Sequence, residues 1–306
     1  NAPSKRVAMG FIGLGNRGIG VMETFLNHTD VQGVAVCDVD DLHFRQQGDK
    51  KSRDYGRTPG KAAMEAAHAK RSDSGSWKGC TAYEDFRELI ARDDIDAVMI
   101  ATPDHTHAVI ATAAMSLGKH VYVQKPLAWS VEECRALAKK AIDTKVVTQM
   151  GNQGHSSDDA RLVNEYIQSG TIGDVREVHI WTNRPLAYWP QGIPRPEPSK
   201  MTASPDASQP WNLRFVMDKL AGTMQAAPHA VPDKLAWDLF LGPAPQIEYH
   251  PVYHPFNWRG WTDWGVGAIG DMGAHLIDHA VWALDLGYPT SVETQSTPYN
   301  KATYPM

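Results

Sequence analysis

An α/β fold, with a doubly wound parallel sheet followed by a second α/β domain, is predicted by three observations. Val7 to Asp38 reads as strand, glycine turn, helix and second strand ending on a carboxylate. Helical and strand patterns then alternate as far as Gly151, the arrangement of a parallel sheet covered on both faces. Beyond Gly151 the composition changes, and 185–264 is rich in Pro, Trp and Tyr. The expected division is a nucleotide-binding domain over 1–151 and a substrate-binding and oligomerisation domain over 152–306.

The first unit begins with the apolar run Val7 to Ile12, followed at once by Gly13-Leu14-Gly15-Asn16-Arg17-Gly18. This is the G-x-G-x-x-G spacing: the first glycine makes a tight turn, the second admits a pyrophosphate to the backbone, and the third lets the helix pack against the strand. Ile19 to Asn27 carries apolar residues at helical spacing, and Val31 to Cys37 is the next strand. Asp38 closes it at the distance where an acid accepts the hydroxyls of an adenosine ribose and repels a 2′-phosphate. NAD is therefore the expected cofactor. NADP stays open because Arg17, in the turn, could meet a phosphate.

Further along, Leu42 to Arg57 reads as a polar loop, where Lys50, Lys51 and Arg53 form a solvated cluster or lie near an adenosine. Pro59 to Arg71 is an alanine-rich helix, Tyr83 to Ala91 an amphipathic helix and Ile95 to Ala101 a buried strand. His105 to Leu117 is a helix, His120 to Val123 a strand, Val131 to Thr144 a helix and Val146 to Gly151 a strand. Gly13, Asp38, Thr102 and Lys125 all fall at strand ends, where such sheets bind ligands. In the second domain Ser157 to Ser169 reads as a helix, and Val175 to Asn183 as a long alternating strand. Gly265 to Leu286 is a glycine turn and helix, and Thr290 to Thr297 a strand. The aromatic density between them suits a sugar-binding cleft or the tethering of an irregular segment equally well.

Composition narrows the functional classes. A net charge of −5, from 30 basic and 35 acidic residues without a basic block, leaves no footprint for nucleic acid. No apolar run approaches the roughly 20 residues that cross a bilayer. Cys37, Cys80 and Cys134 lack metal-type spacing. His275 and His279 stand at i and i+4 with Asp278 between them, but the metallopeptidase pattern wants Glu there and no third ligand is evident, so no metal is expected. The start at Asn1 without Met implies a processed precursor or a recombinant start.

Four motifs together resemble the glucose-fructose oxidoreductase, inositol dehydrogenase and rhizopine-catabolism family (Gfo/Idh/MocA). They are the glycine motif at 13–18, Ala101-Thr102-Pro103-Asp104-His105-Thr106-His107, Gly118-Lys119-His120-Val121-Tyr122-Val123-Gln124-Lys125-Pro126, and Gly270-Asp271-Met272-Gly273-Ala274-His275-Leu276-Ile277-Asp278. The resemblance implies a cofactor site made by Gly13, Gly15, Asn16, Arg17, Gly18, Asp38, Thr102, Pro103, His107, Gln124, Lys125 and Asn152. It implies catalysis by Lys125, Asp271 and His275, with Trp258 and Arg259 beside the substrate. His275 would take a hydroxyl proton, Asp271 would hold its imidazolium from one helical turn away, and Lys125 would hydrogen-bond the alcohol oxygen. Gln124 stands where the family has Glu, which removes a negative charge beside the lysine. The implied activity is hydride transfer between a sugar or polyol and the nicotinamide. An NAD-dependent glycosidase acting by transient oxidation and elimination is the alternative, which Lys125 disfavours. The resemblance further implies an open, mainly antiparallel C-terminal sheet whose last strands are either lacking from this chain or not recorded in it, and a homodimer or homotetramer built on that sheet. Trp258-Arg259-Gly260-Trp261 resembles the exported branch, which implies a periplasmic or secreted location.

Overall fold

The computed structural model describes residues 5–45, 53–185, 188–192, 195, 229–299 and 301–305. They form two compact units, one of 1–150 with 229–249 and the other of 151–228 with 250–306. Lys50 and Lys51 lie outside the described residues.

The first unit is built on β1 (Val7–Ile12), α1 (Asn16–Leu26), β2 (Val31–Cys37), β3 (His43–Arg45), β4 (Arg53–Tyr55), α2 (Arg57–Ala69), β5 (Thr81–Tyr83), α3 (Phe86–Ile90), β6 (Ala97–Ile100), α4 (Asp104–Ser116), β7 (His120–Gln124), α5 (Val131–Thr144) and β8 (Thr148–Gly151). The sheet order is β5-β2-β1-β6-β7-β8, with β1 paired in parallel to both β2 and β6. The chain thus winds outward from β1 in one direction and returns to wind in the other. The reversal falls between β1 and β6, and their carboxyl ends flank the crevice where doubly wound sheets bind ligands.

Strand alternation divides the core between two faces. Met9 and Phe11 of β1 join Ala97 and Met99 of β6 on the face covered by Ile19, Met22 and Leu26 of α1 and Met64 of α2. Ile12, Val98 and Ile100 turn to the other face, against Ala111, Ala114 and Met115 of α4 and Leu137 of α5. Both faces being buried, the strands are nearly all apolar, as parallel strands must be. The helix ends are set locally. Ser130 and Glu133 form a reciprocal capping box on α5, and Lys145 in the left-handed region ends it.

Three elements differ from expectation. The polar stretch from Leu42 contains an antiparallel pair, with His43 opposite Tyr55. Thr81–Tyr83 pairs with β2 as an edge strand, and the expected helix from Tyr83 shortens to Phe86–Ile90, because Asp85 caps it by accepting the Arg87 N–H at 2.9 Å. Residues 229–249, expected within the second domain, pack with the first unit. Leu235 bridges Asp40, the Ala236 N–H donates to the Val39 carbonyl at 2.9 Å, and α7 (Trp237–Leu241) stacks Trp237 on Phe240.

The second unit holds α6 (Asp158–Gln168), a 3-10 turn at Asn257–Gly260, a π-helical turn at Ile269–Gly273 and α8 (Ala274–Leu284), and buries Trp189, Trp261 and Trp264 completely. Tyr253 sets its ring edge-on to both Trp261 and Trp264 at 4.8 Å. The strands expected at 175–183 and 290–297 do not form, and among the described residues this unit has only the bridge between Trp261 and Thr303. Alternation marks a segment as able to pair, but a strand exists only where a neighbour accepts its backbone N–H and C=O groups. Val178, Ile180, Trp181 and Val292 are accordingly exposed. The open antiparallel sheet implied by the resemblance is absent from the described residues.

Candidate functional site

Gly13 turns the chain out of β1 with φ of +83°, a region that favours glycine, and donates its N–H to the Cys37 carbonyl at 2.9 Å. A Cβ there would lie 2.6 Å from the Ala101 backbone and 2.7 Å from the Thr102 nitrogen, so the turns after β1 and β6 touch. A Cβ on Gly18 would lie 1.7 Å from the Gly13 carbonyl oxygen, which explains the third glycine as a packing requirement. Gly15 is different, because a Cβ there would meet nothing within 4 Å. It is the N-cap of α1, where no side chain caps the helix and no acid stands in the first turn. Open space before an uncapped helix N-terminus, with its backbone N–H groups and positive dipole end, is the arrangement that receives a phosphate. Arg17 beside it is exposed, and the Asn16 Oδ1 accepts the Tyr55 hydroxyl at 3.1 Å.

Asp38 is half-buried at the end of β2. Its Oδ2 accepts the Leu14 N–H at 2.5 Å and its Oδ1 the Asp40 N–H at 2.9 Å, which leaves a lone pair on each oxygen for further donors. Burial pushes its pKa up to about 6 against the pull of these two N–H groups, and the neighbouring charge of Asp40 adds to the rise.

On the other side of the switch point, Thr102 and Pro103 lead into α4, and the Thr106 hydroxyl reaches back to the Thr102 hydroxyl at 2.8 Å. His107 is buried with Nδ1 2.7 Å from the Pro126 carbonyl and Nε2 2.9 Å from the Thr102 carbonyl. It ties the turn after β6 to the turn after β7. Burial first, then the charge of Lys125, push its pKa down to about 4, so it is neutral and donates to one of the two. Gln124 is buried at the end of β7, and Lys125 follows it half-exposed. Within this unit the structure therefore brings Gly13, Asp38, Thr102 and Lys125 to the carboxyl ends of adjacent strands, with His107 of α4 bonded to the turns after β6 and β7. Asn152 belongs to the second unit, where its Nδ2 donates to the Ala274 carbonyl at 3.0 Å.

In the second unit Asp271 lies inside the π-helical turn rather than an α-turn, so the expected i, i+4 face shared with His275 is altered there. Single π-turns recur at functional sites because they re-aim side chains. Arg259 Nε stands 3.3 Å from Asp271 Oδ1, and Arg184 Nη1 3.7 Å from Oδ2. His275 Nδ1 faces the Gln153 carbonyl at 3.1 Å. A carbonyl only accepts, so this contact places a ring proton on Nδ1. A backbone oxygen thus orients the ring at Nδ1. Trp258 is buried and carries Arg259 over its ring at 4.2 Å. Asp278, the middle of the His275–His279 pattern, is held by His155 Nδ1 at 2.7 Å. Arg184 was not foreseen, because a lone arginine between an expected strand and an aromatic-rich irregular segment carries no sequence signal.

Two family models cover most of the chain. One, an oxidoreductase family with an NAD-binding Rossmann fold, matches residues 7–152, and the other, the C-terminal alpha/beta domain of that oxidoreductase family, matches residues 196–303. The chain belongs to the Gfo/Idh/MocA oxidoreductase family. A glycosyl hydrolase family 109 protein of Shewanella amazonensis is 34% identical over 174 residues, which are 55% of this chain and 33% of the relative. An alpha-N-acetylgalactosaminidase of Shewanella oneidensis is 31% identical over 170 residues, again 55% of this chain and 33% of the relative. The chain spans about a third of the length of these curated relatives. Among solved structures, myo-inositol dehydrogenase from Lactobacillus casei in complex with NAD(H) and myo-inositol matches at 25% identity and a TM-score of 0.43, over 55% of this chain and 43% of that one.

The residues of this Gfo/Idh/MocA chain fit the NAD of the family's Rossmann domain. The cradle at Gly15 would hold the pyrophosphate, and the open lone pairs of Asp38 would accept the ribose hydroxyls. A consequence is a pH-dependent affinity. Ionised Asp38 would accept both hydroxyls, whereas the protonated acid would not, so NAD binding is expected to weaken as pH falls through about 6. Each further pH unit downward costs about tenfold in affinity until the acid is fully protonated in free and bound forms. Calorimetric titration of NAD between pH 5 and pH 8 checks this, and Asp38→Asn should bind weakly with a flat profile. Asp38→Ala should lose about 1.5 to 3 kcal/mol of NAD binding per charge-assisted hydrogen bond and narrow the preference over NADP. An unchanged ratio of the two dissociation constants would remove Asp38 from the site.

Proposed function

We propose that this protein is an NAD-dependent dehydrogenase of a sugar or polyol hydroxyl. The observation that carries the reading is the position of Lys125, the residue that follows β7, on the strand-end row that also holds the cofactor cradle. Bound NAD supplies the hydride acceptor, and the remaining steps belong to the chain. Lys125 donates a hydrogen bond to the alcohol oxygen and stabilises the charge that develops on it. His275, with Nδ1 protonated toward Gln153, accepts the hydroxyl proton at Nε2. Asp271 sits beside Arg259 and Arg184 and would hold the substrate's polar groups. Gln124 stands where the family has a glutamate, so that position adds no negative charge beside the lysine.

A second reading, an NAD-dependent glycosidase, is supported by the relatives named as family 109 glycosyl hydrolases and alpha-N-acetylgalactosaminidase. One experiment separates the two. Incubation with free sugars or inositols and excess NAD should produce NADH, while an aryl N-acetylgalactosaminide without added NAD should release no phenol. Phenol release at catalytic rate, with no NADH formed from any free sugar, would replace the dehydrogenase reading with the glycosidase one. Family resemblance also supports a homodimer or homotetramer, checked by light scattering of the full-length protein at micromolar concentration.

A further inference from the structure

Arg57 opens α2, and both its backbone and its side chain turn back onto the end of β2. The Arg57 N–H donates to the Asp40 carbonyl at 2.9 Å and the Thr58 N–H to the Asp41 carbonyl at 3.1 Å, so the start of the helix is bonded to the loop that follows Asp38. The guanidinium, on a side chain only 17% exposed, donates from Nη1 to the Asp38 carbonyl at 2.6 Å. A cation is thereby tethered to the residue whose carboxylate fits the ribose hydroxyls. Acids face its other donors: Nη2 donates to Glu84 Oε2 at 3.2 Å, and Nε lies 3.7 Å from Asp41 Oδ1. Glu84 directly follows β5, the neighbour of β2 in the sheet, and its side chain is half in solvent. A cavity of about 310 Å³ opens beside the pair, and its lining includes Asp41, Arg57, Glu84, Asp233 and Lys234. Three acids and two bases give that space an excess of negative charge.

We propose that Arg57 and Glu84 form a second cofactor-selecting element beside Asp38, in which the Glu84 carboxylate occupies the guanidinium edge that would otherwise bind the 2′-phosphate of NADP. The inference concerns cofactor choice alone and stands under either reading of the chemistry. NADP carries its extra phosphate, with close to two negative charges at neutral pH, on the ribose hydroxyl that an acid such as Asp38 accepts from NAD. A planar guanidinium is the bidentate partner that such a phosphate finds best. Here Nη2 is already taken, so a phosphate would have to displace the Glu84 carboxylate and then lie near Asp41 and Asp233 as well as Asp38. The cavity offers room, and the rejection is therefore electrostatic rather than steric. One half-exposed carboxylate is able to exert it because Arg57 is largely withdrawn from water, where each neighbouring charge weighs more.

Calorimetric titration of NAD and NADP into the wild type, Glu84→Gln, Arg57→Met and the double variant tests the inference. The wild type should prefer NAD. Glu84→Gln keeps the size of the side chain and removes its charge, so NADP affinity should rise about tenfold or more, the scale of one charge-assisted hydrogen bond, with NAD affinity nearly unchanged. Added salt should shrink the rise, as it does any gain made by charge, and adding Arg57→Met should abolish it. Glu84→Gln combined with Arg57→Lys should keep part of the rise, since lysine retains the charge without the planar fork. Thermal melts establish that each variant is folded, and Glu84→Gln should melt close to the wild type because so exposed an ion pair adds little stability. If Arg57→Met does not fold, the Arg57→Lys combination and the salt series carry the test. An unchanged NADP affinity in Glu84→Gln, a rise that survives Arg57→Met, an equal rise for both cofactors, or a wild type that binds NADP as tightly as NAD would overturn the proposal.

Discussion

Gly18→Ala is expected to destabilise the first unit severely, whereas Gly15→Ala should leave its stability nearly unchanged and abolish tight NAD binding. The two glycines belong to one motif but meet different surroundings. A methyl on Gly18 would lie 1.7 Å from the Gly13 carbonyl oxygen, a backbone atom at the closing point of the turn that cannot swing away as a side chain does. Overpacking in a yielding core costs about 1 to 3 kcal/mol, and here the cost should reach or exceed the upper end. At roughly 2 to 4 °C per kcal/mol for a unit of this size, the apparent Tm should fall by about 6 °C or more. A methyl on Gly15 meets no protein atom within 4 Å, so it enters only the space before the helix N-terminus where a pyrophosphate would lie. Thermal melts with and without NAD check both statements. The wild type should be stabilised by saturating NAD, and Gly15→Ala should melt at the wild-type temperature without the cofactor and gain nothing from it. A Gly15→Ala protein that still binds NAD tightly would move the pyrophosphate elsewhere.

Lys125→Ala and His275→Ala should each lower the rate of hydride transfer by about 10²-fold or more, the range for a positioned acid or base. If both act on one hydroxyl, the double variant should fall little below the worse single one, because groups that work as a unit give losses that do not add. Single-turnover reduction of bound NAD by a sugar gives the rates, and a separate NAD titration shows whether each variant still holds its cofactor. Retention of near-wild-type transfer by His275→Ala, with loss in Lys125→Ala, would make neutral Lys125 the base. The Gln124 side chain in place of a carboxylate makes that outcome physically reasonable, since a neighbouring Glu would hold the ammonium form.

Much of the first unit was legible in the chain itself. The run Val7–Ile12, the glycines at 13, 15 and 18 and the acid at 38 encode strand, turn and ribose acceptor through local geometry, and Ser130 with Glu133 fixes the start of α5 three residues apart. Parallel strands are apolar on both faces, so β1, β2, β6 and β7 announced themselves by composition, and the strand-end positions of Thr102 and Lys125 followed. The order of the strands placed these ends beside one another, and the motif spacing implied as much.

What the tertiary structure alone decided involves partners far apart in sequence. Residues 229–249 join the first unit because the backbone of Val39 and Asp41 bonds to that of Ala236 and Lys234, a short pairing between distant segments that leaves no periodicity to read. The His275 tautomer is set by the Gln153 carbonyl, 122 positions away, and carbonyls look alike in any sequence. The π-turn at Ile269–Gly273 re-aims Asp271 although its residues carry an ordinary helical pattern. Alternation at 175–183 was clear and no strand formed, because alternation reports which side chains could share a face and hydrogen bonding requires a neighbour that the segment does not name. Arg184 belongs to the same lesson: the stack on Tyr188 and the approach to Asp271 exist only once the chain has folded, and a pattern read along the sequence registers near neighbours, whereas a binding site is assembled from distant ones.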